Sequence, residues 1–296
     1  MPAPPRSGHA GANLLALATI ALWASLAALG ASLAHVPPFL LTGLGLLAGS
    51  VIALPLVRFD LRRLAVAPRA LALGVYGLFG YHFLLFTALQ LAPPVEANLV
   101  NYLWPLGIVL MAPLFLPGVR LSSAHVLAAL VGLAGAAIAI LGRGANEADG
   151  VARALAPWGY AAAAGAAFIW SSYSLLSKRL ALAGRAFPTA AIGTFGMVSG
   201  LLSLVCHALL EPATSLSARD VLLIAALGLG PLGGAFFLWD AALKRGDARQ
   251  IGVLSYLTPL LSTLILLWST GRAVSGSVLL ATALILAAAV IGTRAR

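Results

Sequence analysis

Asn98, Asn101, Tyr102, Trp104 and Pro105 crowd into one apolar stretch, residues 95–116 (VEANLVNYLWPLGIVLMAPLFL). Amides and a phenol supply hydrogen bonds, and an indole supplies a flat apolar face. None is a strong acid, base or nucleophile, so the chemistry open to them is binding. Counted from Asn98, the positions of Asn101, Tyr102 and Pro105 fall at spacings of three, four and seven, a single helical face. A polar side chain left unpaired in hydrocarbon costs about 2–7 kcal/mol, so this face should line a wet cavity or a contact between helices. Pro105 removes one backbone donor and is expected to kink the helix at the same depth. The pattern recurs: Tyr102-Leu103-x-Pro105-Leu106 returns as Tyr256-Leu257-x-Pro259-Leu260, preceded by Ser255. Two interrupted, polar-bearing helices in corresponding positions point to a transport site at the membrane middle.

Other polar or aromatic residues fall at similar depth, among them Trp23, Tyr81, His82, Trp170, Ser171 and Tyr173. The expected substrate-binding set is Tyr81, His82, Asn98, Asn101, Tyr102, Trp104, Trp170, Ser255 and Tyr256, with Pro105 and Pro259 as kinks. Asn, Ser and Tyr would take the amino and carboxylate groups of a solute, and the Trp and Tyr rings its side chain. His82 has two readings: an imidazole that binds substrate or senses protons, or one that donates to a backbone carbonyl between packed helices. Trp104 reads equally as cavity wall or as packing. Trp158 and Trp268 sit near span ends and suit the interfacial belt. Glu96 lies in a first helical turn, where a carboxylate suits capping or an outer gate. Asp240 and Lys244 are four residues apart and read as a structural ion pair, with Lys178 at comparable depth.

Few charges lie at mid-span, so no sodium site or carboxylate proton relay stands out. Neutral or zwitterionic solutes fit better than strongly anionic ones, and aromatic walls favour flat ones. Sparse buried charge suits facilitated diffusion; proton exchange would have to pass through His82 or Glu96. Motifs of the GxSxG, HExxH, Walker A, CxxC and DDxxD types are absent, as is a His/carboxylate cluster for a metal, so no enzyme activity, metal or cofactor is expected. The single cysteine, Cys206, excludes an internal disulfide.

The positioning elements follow from composition. The chain of 296 residues is 61% hydrophobic and 9% charged, against about 25% charged in soluble domains, which marks an all-α, polytopic membrane protein. Ten apolar spans fit, at 12–33, 38–57, 70–91, 95–116, 122–141, 157–182, 188–210, 220–243, 250–269 and 273–293. The first apolar stretch, Leu14 to Ala34, ends in Ser32-Leu33-Ala34, which loosely imitates a signal-peptide cleavage site. However, Leu22-Trp23-x-Ser25 recurs as Ile169-Trp170-x-Ser172, so we read it as a retained helix. The longest connector, 142–156, divides the chain into repeats at 12–141 and 157–293 within one membrane domain. A shift of 154 aligns Gly74 with Gly228, Gly80 with Gly234, Phe83 with Phe237, Tyr102 with Tyr256 and Pro105 with Pro259.

Five spans per half is odd, so the second half must run upside down relative to the first, enclosing a central cavity. Of the 18 Lys and Arg, fourteen fall on one side if the N-terminus is cytoplasmic. That distribution expects both termini inside an inner membrane. The net charge of +10 is spread over short connectors, not a basic stripe, so no nucleic-acid partner is expected; lipid and a small solute are. Gly74, Gly77 and Gly80 share one helical face and Gly45 and Gly49 another, which suits close helix contact in lipid.

Ten spans, the L/I-W-x-S and Y-L-x-P-L motifs in both halves, and the runs Gly80-Tyr81-His82-Phe83-Leu84-Leu85-Phe86-Thr87-Ala88-Leu89 and 96–106 carry a resemblance across essentially the whole chain. It resembles the drug/metabolite transporter superfamily in its EamA branch, and within that the YddG-type aromatic amino-acid exporters. The resemblance implies a basket of ten helices around a central cavity and export from cytoplasm to periplasm. The substrates it implies are phenylalanine, tyrosine and tryptophan, with other amino acids or cationic drugs. The alternatives are a carrier of the same build for another metabolite or an amphipathic cation, and, from another class, a membrane scaffold without transport.

Overall fold

The computed structural model describes residues 6–141, 150–270 and 276–294, and among them every regular element is a helix. The first part of the 142–156 connector, with Arg143, and the first residues of the tenth expected span lie outside the described residues. In hydrocarbon each backbone N–H and C=O must be satisfied within its own segment, which is why long apolar runs resolve into helices. Among the described residues, six helical stretches are long and apolar enough to cross a membrane: Ala10–Gly30, Pro38–Leu56, Pro68–Leu91, Glu96–Phe115, Ala191–Leu210 and Ala218–Arg245. Ser123–Ile138 and Gly276–Gly292 are shorter apolar helices.

In chain order the elements are α1 Arg6–Ala24, α2 Leu26–Ser32, α3 Pro38–Ser50, α4 Ala53–Leu56, α5 Pro68–Val75, α6 Tyr81–Leu91, α7 Pro94–Asn101 and α8 Trp104–Phe115. They continue as α9 Ser123–Leu141, α10 Gly150–Leu182, α11 Ala191–Leu210, α12 Ala218–Leu229, α13 Ala235–Arg245, α14 Ala248–Leu254, α15 Leu257–Thr270 and α16 Gly276–Arg294. Helix α10 begins seven residues before the expected start at 157 and carries Pro157 inside it.

The interruptions are the informative part. A π-helical turn, Tyr76–Gly80, joins α5 to α6, and a second, Gly230–Gly234, joins α12 to α13. They are related by the same offset of 154 that aligns the two halves of the sequence. The polar stretch is broken between Asn101 and Trp104, and its counterpart between Leu254 and Leu257. The break therefore precedes each proline instead of falling on it. Pro105 sits in the first turn of α8, where its missing N–H would have no intrahelical partner in any case. The π-turns had no counterpart in the expectation; the glycines that permit them are plain in the sequence but do not announce their geometry.

Helix starts are well specified. Pro38, Pro68 and Pro94 open α3, α5 and α7. Ser217 and Asp220 form a capping box on α12. The start of α3 is capped from elsewhere in the chain: the Glu211 carboxylate, at the end of α11, accepts from the N–H groups of Phe39 (2.8 Å) and Leu40 (3.2 Å) and from His207 Nδ1 (2.9 Å). Asp247 caps α14. Burial would raise its carboxyl, but the hydrogen bonds and charge of Arg249 outweigh this and hold it below the usual range.

Glycine sets the helix spacing. Gly45 and Gly49 on α3 lie against Gly228 and Gly233, and Gly43 lies against Gly200 of α11, so α3 is wedged between two helices at backbone distance. Gly74 and Gly77 receive the rings of Phe195 and Tyr173. The two expected glycine faces are thus contact surfaces.

At the arginine-rich end, Asp240, Lys244, Thr189 and Lys178 tie α10, α13 and the connector that leads into α11 together. Lys244 Nζ donates to Asp240 Oδ2 at 2.6 Å and to the Phe187 carbonyl at 2.7 Å, and lies 4.3 Å from the centre of the Phe187 ring. Thr189 Oγ1 donates to the same carboxylate oxygen at 2.7 Å. Lys178 Nζ donates to the carbonyls of Gly246 (2.8 Å) and Lys244 (3.2 Å). Removing one member of a buried pair strands the other charge, a loss of about 3–5 kcal/mol. Asp240→Ala is therefore expected to lower the thermal midpoint of the purified protein clearly, and Asp240→Asn less so. An unchanged midpoint for the alanine variant would show the pair to be idle.

Candidate substrate cavity

A cavity of about 370 Å3 lies between α1, α2, α3, α6, α7, α8, α10, α12, α13 and α15, within the range of about 300–1,000 Å3 usual for small-molecule sites. Among the described residues, none that lines it is Lys, Arg, Asp or Glu. Its hydrogen-bonding groups come from Thr42, Tyr81, His82, Asn98, Asn101, Tyr102, Thr258 and Ser262, and the rest of the wall is mostly aliphatic and aromatic.

The floor is a box of indoles. Trp23 of α1 meets Trp104 (6.0 Å, edge-on), Trp170 (5.8 Å, edge-on) and Trp239 (5.2 Å, tilted), measured between ring centres. Trp239 lies edge-on to Trp104 at 5.6 Å and stacked on Trp170 at 6.1 Å. Tyr81 and Phe236 close on Trp170 at 5.3 and 5.5 Å. Such pairs prefer these edge and offset geometries, and each contributes about 0.5–1.5 kcal/mol beyond area burial. The box is pinned by polar contacts behind it. Trp239 Nε1 donates to Ser174 Oγ at 3.1 Å, and Ser171 Oγ contacts the Trp104 and Ala167 carbonyls at 2.8 and 2.7 Å. Along α13, Phe236 lines the cavity and Asp240, one turn further, begins the ionic cluster. The cavity is thus closed toward the arginine-rich end by rings and then by charge.

His82 is buried, and its Nδ1 lies 2.7 Å from the Leu78 carbonyl. A carbonyl only accepts, so Nδ1 carries the proton and Nε2 is the remaining ring nitrogen. The backbone contact is the one of the second reading, and the residue also lines the cavity. Asn101 is buried, with Nδ2 donating to Tyr81 Oη at 3.2 Å. Glu96 accepts from Tyr160 of α10 away from the cavity lining.

Of the nine expected site residues, Tyr81, His82, Asn98, Asn101, Tyr102, Trp104 and Trp170 line the cavity, as does Pro259. Ser255 and Tyr256 do not, which corrects the expectation for them. Ser255 is fully buried and its hydroxyl donates to the Ile251 carbonyl at 2.8 Å. Tyr256 is fully buried with its ring on Gly132, in a cluster with Ala136, Leu260 and Ile285. The break before Leu257 turns α15 so that Thr258, Pro259 and Ser262 face the cavity instead. Pro105 is also buried away from it, its carbonyl toward Gly252.

Thr258, Ser262, Phe236 and Trp239 were missed. The offset of 154 could have found two of them, since it relates Thr258 to Trp104 and Phe236 to His82. Trp158 and Trp268, at the span ends, are 71% and 86% exposed, as an interfacial belt requires.

An uncharged, ring-walled cavity enclosed by apolar helices defines a membrane protein built to hold a small solute. The chain belongs to the EamA-like transporter family, whose model matches residues 10–141 and 157–293. It is 45% identical over 288 residues to the aromatic amino acid exporter YddG of Ancylobacter novellus, covering 96% of this chain and 98% of that protein. It is 31% identical to the protein of the same name from Salmonella typhimurium over 175 residues, 57% of this chain and 56% of that one. A solved crystal structure with 43% sequence identity superimposes with a TM-score of 0.85, covering 95% of this chain and 97% of its own.

Proposed function

We propose that this protein is a carrier that exports aromatic and other neutral amino acids from the cytoplasm across the inner membrane by alternating access. The observation that carries the reading is the cavity lining: indole and phenyl walls, a few uncharged hydrogen-bonding groups, and no Lys, Arg, Asp or Glu. A zwitterion with an apolar side chain is the small solute that such a lining accommodates without leaving a net charge unpaired. Relatives named aromatic amino acid exporters point the same way.

The architecture proposed for it is ten spans in two inverted five-helix repeats, 12–141 and 157–293. In its support, the family model matches in two stretches of nearly those bounds, and the π-turns and helix breaks recur at one offset. The helix pairing is mirrored as well: α10 packs on α6 as α1 packs on α13, while α3 pairs with α11 and α9 with α16. The Lys and Arg distribution supports a cytoplasmic position for both termini. The arginine-rich end then faces inward, so the closed side of the cavity is cytoplasmic and the state is outward-facing. Exposed Leu and Trp side chains along the spans contact lipid. The rings also suit an amphipathic cation through cation–π contact, which makes such compounds the second class to test.

Proteoliposomes loaded with phenylalanine are expected to take up labelled phenylalanine by counterflow well above protein-free vesicles, with other neutral amino acids competing. Absence of counterflow for every amino acid tried would reject the reading. Repeating the assay under an imposed pH gradient separates facilitated diffusion, in which flux is unchanged, from proton exchange.

A further inference from the structure

We propose that the side-chain carbonyl of Asn101 selects the α-ammonium group of the substrate and that Tyr81 positions it; the inference rests on the transport reading above. Asn101 is 3% exposed and lines the cavity. Its Nδ2 is engaged by Tyr81 Oη, whereas Oδ1 is buried and has no partner. An amide oxygen that no protein donor satisfies must be satisfied by what occupies the cavity, so it favours a ligand that brings a donor to replace the water there. An ammonium brings three donors and no acceptor. Asn101 is also the last residue of α7, the end of a helix where the backbone dipole favours positive charge.

The same contact decides what Tyr81 offers. Accepting from Asn101 leaves the phenol its own proton, so the pair presents one acceptor and one donor to the cavity, the complement of an ammonium and a carboxylate. A second hydroxyl is available opposite, because Thr258 Oγ1 is buried in the lining without a partner. The reverse orientation would turn the amide N–H groups toward the cavity and spend the phenol proton on Oδ1, which matches a carboxylate better than an ammonium, so the two orientations predict opposite ligand preferences. The offset of 154 relates Asn101 to Ser255, whose hydroxyl is used by its own helix. The ammonium subsite therefore exists in one half only, and it orients the solute.

The experiment is competition against labelled phenylalanine counterflow by two close analogues. Phenylalaninol keeps the ammonium and replaces the carboxylate by a hydroxymethyl group. Phenyllactate keeps the carboxylate and replaces the ammonium by a hydroxyl. For the unmodified protein, phenylalaninol is expected to compete about tenfold better than phenyllactate, the size of one charge-assisted hydrogen bond. Asn101→Leu should bring the two within about threefold of each other, chiefly by weakening phenylalaninol. Asn101→Asp, which keeps an acceptor, should preserve the preference. A purely structural role for Asn101 would weaken both analogues equally, and that result overturns the proposal. So does phenyllactate matching or exceeding phenylalaninol on the unmodified protein, a comparison that needs no variant to fold. Failure of the unmodified protein to move phenylalanine would instead remove the transport reading on which the proposal stands.

Discussion

Trp170→Ala is expected to reduce phenylalanine counterflow to the level of protein-free vesicles. Trp170 is buried and lies within ring-pair distance of Trp23, Tyr81, Tyr173, Phe236 and Trp239, more ring partners than any other residue of the box. It also lines the cavity. Truncation to alanine removes the wall against which a substrate ring would lie, and it opens a void beneath the site. Large aromatic-to-alanine changes in cores cost about 3–5 kcal/mol, so stability falls too. Trp170→Phe separates the two effects, because it keeps an aromatic face and much of the volume. We expect its thermal midpoint to stay close to that of the unmodified protein while flux falls several-fold. Flux in Trp170→Ala within twofold of normal would show that the indole box is scaffold and that the solute binds elsewhere.

The second large effect is expected at a residue with no side chain. A Cβ added to Gly49 would stand 2.7 Å from the Gly228 carbonyl oxygen and 2.7 Å from Gly233 Cα. Both obstacles are backbone, so no rotamer change relieves them, and α3 must move away from α12 and the π-turn that follows it. Overpacking costs typically about 1–3 kcal/mol where side chains can adjust; here they cannot, so the loss should sit at or above that range. Gly49→Ala should lower the thermal midpoint and the yield of monodisperse protein, whereas Gly80→Ala, which meets only the flexible tip of Ile169 at 3.3 Å, should be tolerated. Equal behaviour of the two would mean that this contact yields more readily than its geometry indicates. The π-turn at Gly230–Gly234 forms part of the cavity wall through Leu232, so a loss at Gly49 is also expected to reach the site.

Much of this was legible beforehand, and the reasons are physical. A chain with 9% charged residues whose apolar residues come in continuous runs of about 20, not in short alternating segments, satisfies its backbone in lipid as helices, so the all-helical class follows from composition and patterning. The polar face of Asn98, Asn101 and Tyr102 could be placed toward a cavity because lipid would penalise it anywhere else. The Asp240–Lys244 pair was readable as well, since an i, i+4 pair of opposite charge in an apolar helix has few other ways to be buried. Identity of motif was a poorer guide. Tyr256 repeats Tyr102 and Ser255 takes the place of Asn101, yet both are used for packing. A repeat preserves the course of the backbone more faithfully than the direction of a side chain, and a small rotation at a helix break hands the cavity to Thr258 and Ser262.

What the sequence determined by itself is the environment: that the chain is helical and suited to lipid, that two related helices are interrupted close to a proline, and which faces are too polar to meet acyl chains. The tertiary structure alone decided which rings meet. Trp268 could be set apart by its place near a span end and is 86% exposed, but nothing in the sequence marks Trp239 as the residue that completes the indole box. The box arises from the crossing of α1, α8, α10 and α13 at one level, held by glycine contacts along α3 and by the ionic cluster at the arginine-rich end. Helical periodicity assigns a residue to a face of its own helix. Which other helix that face meets, and at what height, depends on contacts between segments far apart in the chain.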